Sequence, residues 1–179
     1  MRQIYTQMTD PDKNIWIPCL ESQDVPHSPI HTDSVFVTHY NAVEHYCKSL
    51  LDHRIYCIGP KTEERLKSAG HDNVVNLGMK ASDVILPDEP ITWLHSDAYA
   101  RDFSLEYNVQ AVQVYRIAVN TVNVEIAVNI CPDKVWIYSQ RVIEAFERTC
   151  RTDPIELMCT DSCKPNSEVW FNVTRFYPS

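Results

Sequence analysis

The sequence echoes itself at a fixed distance. Asp33-Ser34-Val35-Phe36-Val37-Thr38 aligns with Asp133-Lys134-Val135-Trp136-Ile137-Tyr138, and Ala42-Val43-Glu44-His45-Tyr46 with Val142-Ile143-Glu144-Ala145-Phe146, at a constant offset of 100 over 14 residues. Apolar positions keep their class through a strand-like run, a polar turn and a helix-like run. A strand followed by a helix is half of a βαβ unit, and such units build parallel sheets. The same register twice predicts an α/β chain of two similar lobes, each a parallel sheet flanked by helices, rather than one sheet.

The rest of the chain fits that alternation. Val-, Ile- and aromatic-rich runs predict strands near 2–6, 14–18, 34–38, 54–58, 73–77, 91–95, 109–119, 122–130, 134–138, 155–159 and 169–174. Apolar residues at 43, 46, 47, 50 and 51 have helical spacing, with Asn41 as N-cap and Glu44 as its capping-box partner. A second helix is punctuated at both ends, by Gly59-Pro60 at its start and Gly70 at its stop. Further helices are predicted near 97–107 and 140–150. Cys19 to Pro29 suits an extended linker, and the alternating run Val109 to Ala118 is long enough to leave one lobe and enter the other. Together they predict a two-stranded linker, with Tyr115 close to it.

Composition closes off several functions. Only three glycines occur in 179 residues, at 59, 70 and 78, so no Gly-rich phosphate loop or dinucleotide fingerprint exists. The net charge of −8 removes the basic footprint of a nucleic-acid binder. No apolar run reaches the length of a membrane span, and the first residues lack a signal peptide's apolar stretch. Seven cysteines without regular spacing then read as reduced thiols in a cytoplasmic protein. Metal binding is not expected: Pro29 breaks the helix that would align His27 with His31, and Cys159 with Cys163 has no second pair. Cys47 and Cys57 fall on core positions. His95-Ser96-Asp97 cannot form a triad, because adjacent residues on one strand end do not face one another.

Polar residues gather instead at the C-terminal ends of predicted strands. Thr38, His39 and Tyr40 follow one, Gly59 to Thr62 another, His95 to Asp97 a third, and Ser139 to Arg141 a fourth. In open α/β sheets ligands bind outside those ends, where helix N-termini also offer N–H donors. The residues therefore point to a cleft for an anionic small molecule.

At these positions the sequence resembles the uroporphyrinogen-III synthase family. The resemblance rests on Val37-Thr38-His39-Tyr40-Asn41-Ala42-Val43-Glu44, on Ile58-Gly59-Pro60-Lys61-Thr62 with Leu66 and Gly70, and on Ile91-Thr92-Trp93-Leu94-His95-Ser96-Asp97 with Arg101. Val112-Gln113-Val114-Tyr115-Arg116 and Trp136-Ile137-Tyr138-Ser139 continue it in family order over most of the chain. It departs from the pattern at His39, where serine is usual, at Ser96, where glycine is common, and at Cys159-Thr160-Asp161-Ser162-Cys163, which stands in place of a second Ile-Gly-Pro-x-Thr. The resemblance implies an inserted lobe over 26–116 and a discontinuous second lobe of 1–25 plus 117–179, shortened at its C-terminus. It implies a monomer that cyclises hydroxymethylbilane, a linear tetrapyrrole with carboxylate side chains, to uroporphyrinogen III with inversion of ring D and loss of water. No cofactor or metal is required. Tyr115 matches the family's candidate acid. Thr38, His39, Tyr40, Gly59, Thr62, His95, Ser96, Arg101, Ser139 and Ser162 are the expected substrate-binding residues. The alternative is a two-lobed protein that binds an anionic small molecule without chemistry.

Overall fold

The structure, a computed structural model, describes residues 3–6, 15–46, 49–149, 155–159 and 171–175. The chain divides into two compact units, Met1–Glu21 with Ala118–Ser179 and Ser22–Ile117.

The continuous unit is built on a six-stranded sheet. Its strands are β3 (Leu20–Asp24), β4 (Ser34–Val37), β5 (Arg54–Cys57), β6 (Val74–Asn76), β7 (Ile91–Ser96) and β8 (Val109–Val119), in the order β3-β8-β7-β4-β5-β6. From β8 to β6 every pairing is parallel. Two helices, α1 (Asn41–Glu44) and α2 (Pro60–Ser68), follow β4 and β5. The pleat separates two cores. Val35, Val37, Ile55, Cys57 and Leu94 pack with Leu66 of α2 on one face, and Phe36, Tyr56, Trp93 and Phe103 pack on the other. Near-continuous apolar strands such as Ser34–Val37, buried at every position, are what a sheet covered on both faces requires.

Helix α2 keeps the punctuation seen in the sequence. Pro60 occupies the first turn, where its missing N–H costs no hydrogen bond. Gly70, at φ 92°, closes the helix: its N–H donates to the Lys67 carbonyl and that of His71 to the Leu66 carbonyl. This pair of bonds satisfies two terminal carbonyls and needs a left-handed residue at Gly70.

The discontinuous unit carries a sheet in the order β11-β10-β9-β1-β2, parallel at each pairing. Its strands are β1 (Gln3–Tyr5), β2 (Ile15–Trp16), β9 (Lys134–Ile137), β10 (Ile155–Cys159) and β11 (Phe171–Arg175), with helices α3 (Thr121–Asn129) and α4 (Gln140–Thr149). Val142, Ile143, Ala145 and Phe146 of α4 are buried with Val135, Ile137 and Leu157. Full burial of one such large side chain stabilises by about 1.5–3 kcal/mol. The echoed runs become β4 and β9, offset by 100 residues and interior in their sheets.

The chain passes between the units twice, on β3 and β8, which are neighbours. Val25 N–H donates to the Val114 carbonyl and Asn120 N–H to the Cys19 carbonyl. Partner numbers fall on one strand as they rise on the other, so the pair is antiparallel. Part of the stretch expected to be an extended linker is thus the strand β3.

Three local expectations are corrected. The run 122–130, expected as a strand, is the helix α3. Asn120 caps it by accepting from Asn123 N–H, and Val124 and Ala127, three apart, are its buried positions. Burial on a helical face outweighs the β propensity of its Val and Ile residues. The stretch 97–107 is loop with a single 3-10 turn at Phe103–Leu105, capped by Asp102, and not a longer helix. Helix α1 is one turn long and Asn41 does not cap it. Tyr40 holds the cap position without a side-chain bond, while Asn41 N–H donates to His39 Nδ1 at 3.2 Å. Tyr46 and Leu50 still bury as the periodicity asks, but from beyond that single turn. Cys47 lies outside the described residues.

Candidate functional site

Parallel pairing puts the C-terminal ends of neighbouring strands on one edge. In the continuous unit that edge presents, side by side, the Tyr115 region of β8, Ser96 and Asp97 at the end of β7, Thr38 to Tyr40 after β4, and Gly59 to Thr62 after β5.

A β-bulge aims Tyr115. His95 is in register with Gln113, but Ser96 is in register with Tyr115, so β8 carries an extra residue there. Before the bulge Val112 and Val114 face the α1–α2 core; after it Tyr115 and Ile117 face that core, and Arg116 is exposed. Without the extra residue the alternation would turn Tyr115 to the other face. The Tyr115 ring is 5% exposed. Burial raises its pKa above the ordinary phenol value, the nearby Ser96 hydroxyl opposes that, and the Asp97 charge adds to it. The hydroxyl therefore stays protonated at neutral pH and available as a donor.

Ser96 and Asp97 hold the neighbouring strand end. Ser96 Oγ donates to the Ala98 carbonyl at 2.6 Å and accepts from Ala98 N–H at 3.2 Å. Asp97 Oδ1 accepts from Ile117 N–H at 2.9 Å.

Sequence reasoning missed two residues here. His45, directly after α1, stacks on Tyr115 with ring centroids 5.0 Å apart and planes 15° from parallel. Its Nδ1 lies 2.5 Å from Oδ1 of Asp24 on β3. No local pattern announces this pairing, because 21 residues separate its members.

His39 is exposed, accepts Asn41 N–H through Nδ1, and so carries its proton on Nε2. Partial desolvation, then the Arg65 charge, holds it below the usual histidine range against the opposing pull of Glu44. It is a neutral donor at pH 7. The Arg65 guanidinium lies 4.4 Å over the Tyr40 ring and pairs with Glu44 at 3.2 Å. Gly59, at φ 78° and ψ 147°, donates its N–H to the Gly78 carbonyl at 2.8 Å and starts α2. Thr62 sits in the first turn of that helix, half-buried.

The other candidates lie elsewhere. His95 faces the opposite side of the sheet from Ser96, with its ring 4.4 Å from Trp93 and 5.3 Å from Tyr99. Arg101, expected as a charged partner for substrate, is committed to the fold. Its guanidinium pairs with Glu106, donates to the Ala81 and Val84 carbonyls, and lies 4.8 Å over the Phe103 ring. Ser139 belongs to the discontinuous unit, where its carbonyl accepts from the Val142 and Ile143 N–H groups at the start of α4. Ser162 lies outside the described residues.

A cavity of about 460 Å³ opens at the N-terminal edge of the continuous unit's sheet, between Leu86–Ile91 and Tyr107–Gln110. It is the wrong end for the strand-end chemistry, and its Glu89 already accepts from Ser34 at 2.6 Å and Tyr56 at 3.0 Å. Among the described residues no group of three His, Cys, Asp or Glu side chains could hold a metal ion, and no helix is long and apolar enough to cross a membrane.

No family model and no curated protein sequence matches the chain. Among solved structures, it is similar to the uroporphyrinogen-III synthetase of Helicobacter pylori 26695, with 13% identity, 89% of this chain and 84% of that one covered, and a TM-score of 0.65. A mutant uroporphyrinogen III synthase from the extremely thermophilic bacterium Thermus thermophilus is also similar, with 13% identity, 90% and 85% coverage, and a TM-score of 0.47. At 13% identity the likeness to the Helicobacter protein is one of fold. The chain has the uroporphyrinogen-III synthase fold, built here as two α/β units on mostly parallel sheets.

Proposed function

We propose that this chain is a divergent uroporphyrinogen-III synthase, a monomer acting in the cytoplasm on hydroxymethylbilane. Its two units would be the two lobes of that family. The observation that carries this reading is the bulge in β8, which spends an extra residue to bring a protonated Tyr115 beside Ser96 on the strand-end edge.

The chemistry asks little more of the protein. Tyr115 gives its proton to the leaving hydroxyl, the C–O bond breaks with its electron pair on oxygen, and water departs from an azafulvene cation. Ring D attacks the cation through its already substituted α-carbon, and the bond from that carbon to its methylene bridge breaks. The methylene rejoins ring D at the free α-carbon, and the proton lost there restores the phenol. Holding the chain folded so that inverted closure outpaces the direct one is the main task. Thr38, the His39 Nε2–H, Thr62 and the first N–H groups of α2 are the proposed donors to the substrate's carboxylates. Local donors outweigh a net charge of −8 at distances shorter than the Debye length of about 8–10 Å.

One observation favours the second reading, a binder without chemistry: Tyr115 is only 5% exposed. A single assay separates the two. Hydroxymethylbilane is generated in situ with the protein present, and the product isomers are resolved by chromatography. Type III isomer is the expected product. Type I alone, as forms without enzyme, would leave only the binding reading.

A further inference from the structure

We propose that His45, clamped by Asp24, is a positioning residue for Tyr115, stacking on the phenol ring and fixing it at the sheet edge as the hydroxyl gives up its proton. This rests on Tyr115 being the acid of the proposed reaction.

The geometry comes from three elements of one unit. Tyr115 is on β8, His45 follows α1, and Asp24 is on β3. His45 is 15% exposed, so its ring is largely enclosed, whereas the Asp24 side chain is 73% exposed. A near-parallel ring pair at 5.0 Å covers one face of the phenol, which lies beside Ser96 in the strand register. A carboxylate 2.5 Å from Nδ1 fixes the ring orientation of His45.

Positioning matters because the surroundings of Tyr115 oppose ionisation. Asp97, at the end of β7, repels a phenolate, and burial removes water that would solvate it. Ser96 supplies one hydroxyl. On α1, Glu44 is engaged by Arg65 of α2 at 3.2 Å, and beside Asp24 on β3, Gln23 accepts from Arg116 of β8 at 3.0 Å. The His45 ring is the group stacked directly on the phenol, and it holds the hydroxyl in place as the proton leaves. An aromatic pair of this kind is worth a factor of about 2 to 10 in rate.

The test compares wild type with His45→Ala, His45→Phe and Asp24→Asn, reading kcat and KM for type III isomer formation. Because the Asp24 side chain is exposed, Asp24→Asn should fold normally. In His45→Ala, kcat is expected to fall about 2- to 10-fold with KM nearly unchanged. His45→Phe, which keeps a ring to stack on Tyr115, should recover most of that loss. Asp24→Asn, which loosens the clamp, should lower kcat in the same direction with KM nearly unchanged. A wild type that makes type III isomer while His45→Ala keeps the same kcat overturns the proposal alone. A wild type that makes only type I overturns both it and the catalytic reading beneath it.

Discussion

Replacing Gly59 with alanine tests the claim that backbone conformation, not space, reserves this position for glycine. A Cβ built at Gly59 meets no heavy atom within 4 Å, so crowding predicts no penalty. The backbone, at φ 78° and ψ 147°, lies in territory nearly closed to residues with a Cβ. Holding alanine there costs about 1–3 kcal/mol. Restricting the unfolded chain returns about 0.4–1 kcal/mol, which at the middle of both ranges leaves a net destabilisation of about 1.3 kcal/mol. The backbone could instead rotate, at the expense of the Gly59 N–H bond to Gly78 at 2.8 Å and the Glu63 N–H bond to the Gly59 carbonyl at 3.2 Å. Two such bonds are worth about 1–3 kcal/mol together, so either route gives a similar loss. Thermal unfolding of Gly59→Ala should show a midpoint lower by about 2–8 °C. A midpoint at or above the wild-type value would refute the reasoning.

Tyr115→Phe should keep the fold and lose about 10²- to 10⁴-fold in type III isomer formation, the usual contribution of a positioned acid; an undiminished rate in the isomer assay excludes that hydroxyl. Arg101→Ala should lower the unfolding midpoint through loss of its bonds to Glu106, Ala81 and Val84, while KM stays unchanged; a raised KM with unchanged stability would return Arg101 to the substrate. Burial pushes the Cys19 thiol up to about 12, and burial, then the Glu63 charge, pushes Cys57 up to about 11. Peptide mapping after iodoacetamide at pH 8 should therefore find exposed Cys131 modified and Cys19 and Cys57 protected. Both raised values stabilise the fold fully below the unfolded thiol's 9.0, and that stability is lost as pH climbs toward 11 and 12. Urea midpoints should accordingly fall above pH 9.0; a flat profile there would show that these thiols ionise alike in both states.

The site was half legible in the sequence. Ser96, Asp97, Thr38 and Gly59 could be placed on one edge because strand ends follow from apolar runs, and parallel pairing aligns the ends. The phase slip that aims Tyr115 is also visible: apolar residues at 112, 114, 115 and 117 break strict alternation between 114 and 115. His45 and Asp24 were not legible. Neither has a local signature, and their meeting depends on β3 lying beside β8. His95 and Arg101 misled for the opposite reason. Sequence neighbours of a site need not share its face, and an arginine near a strand end is free only if its carbonyl and carboxylate partners are elsewhere.

What the sequence determined alone is whatever one or two residues dictate by their own covalent geometry, together with a repeat long enough to carry its own register. Proline without an N–H begins α2, Gly70 in a left-handed turn ends it, and the 100-residue echo marks β4 and β9 as matching strands, one in each sheet. The tertiary structure decided what burial arbitrates. Val124 and Ala127 made a helix of a strand-like run, and a short turn replaced most of the helix expected after Asn41. Packing also gave Tyr115 its stacked partner. Local propensities differ by fractions of a kcal/mol per residue, while burying one large side chain is worth several times that, so where the two compete the core prevails.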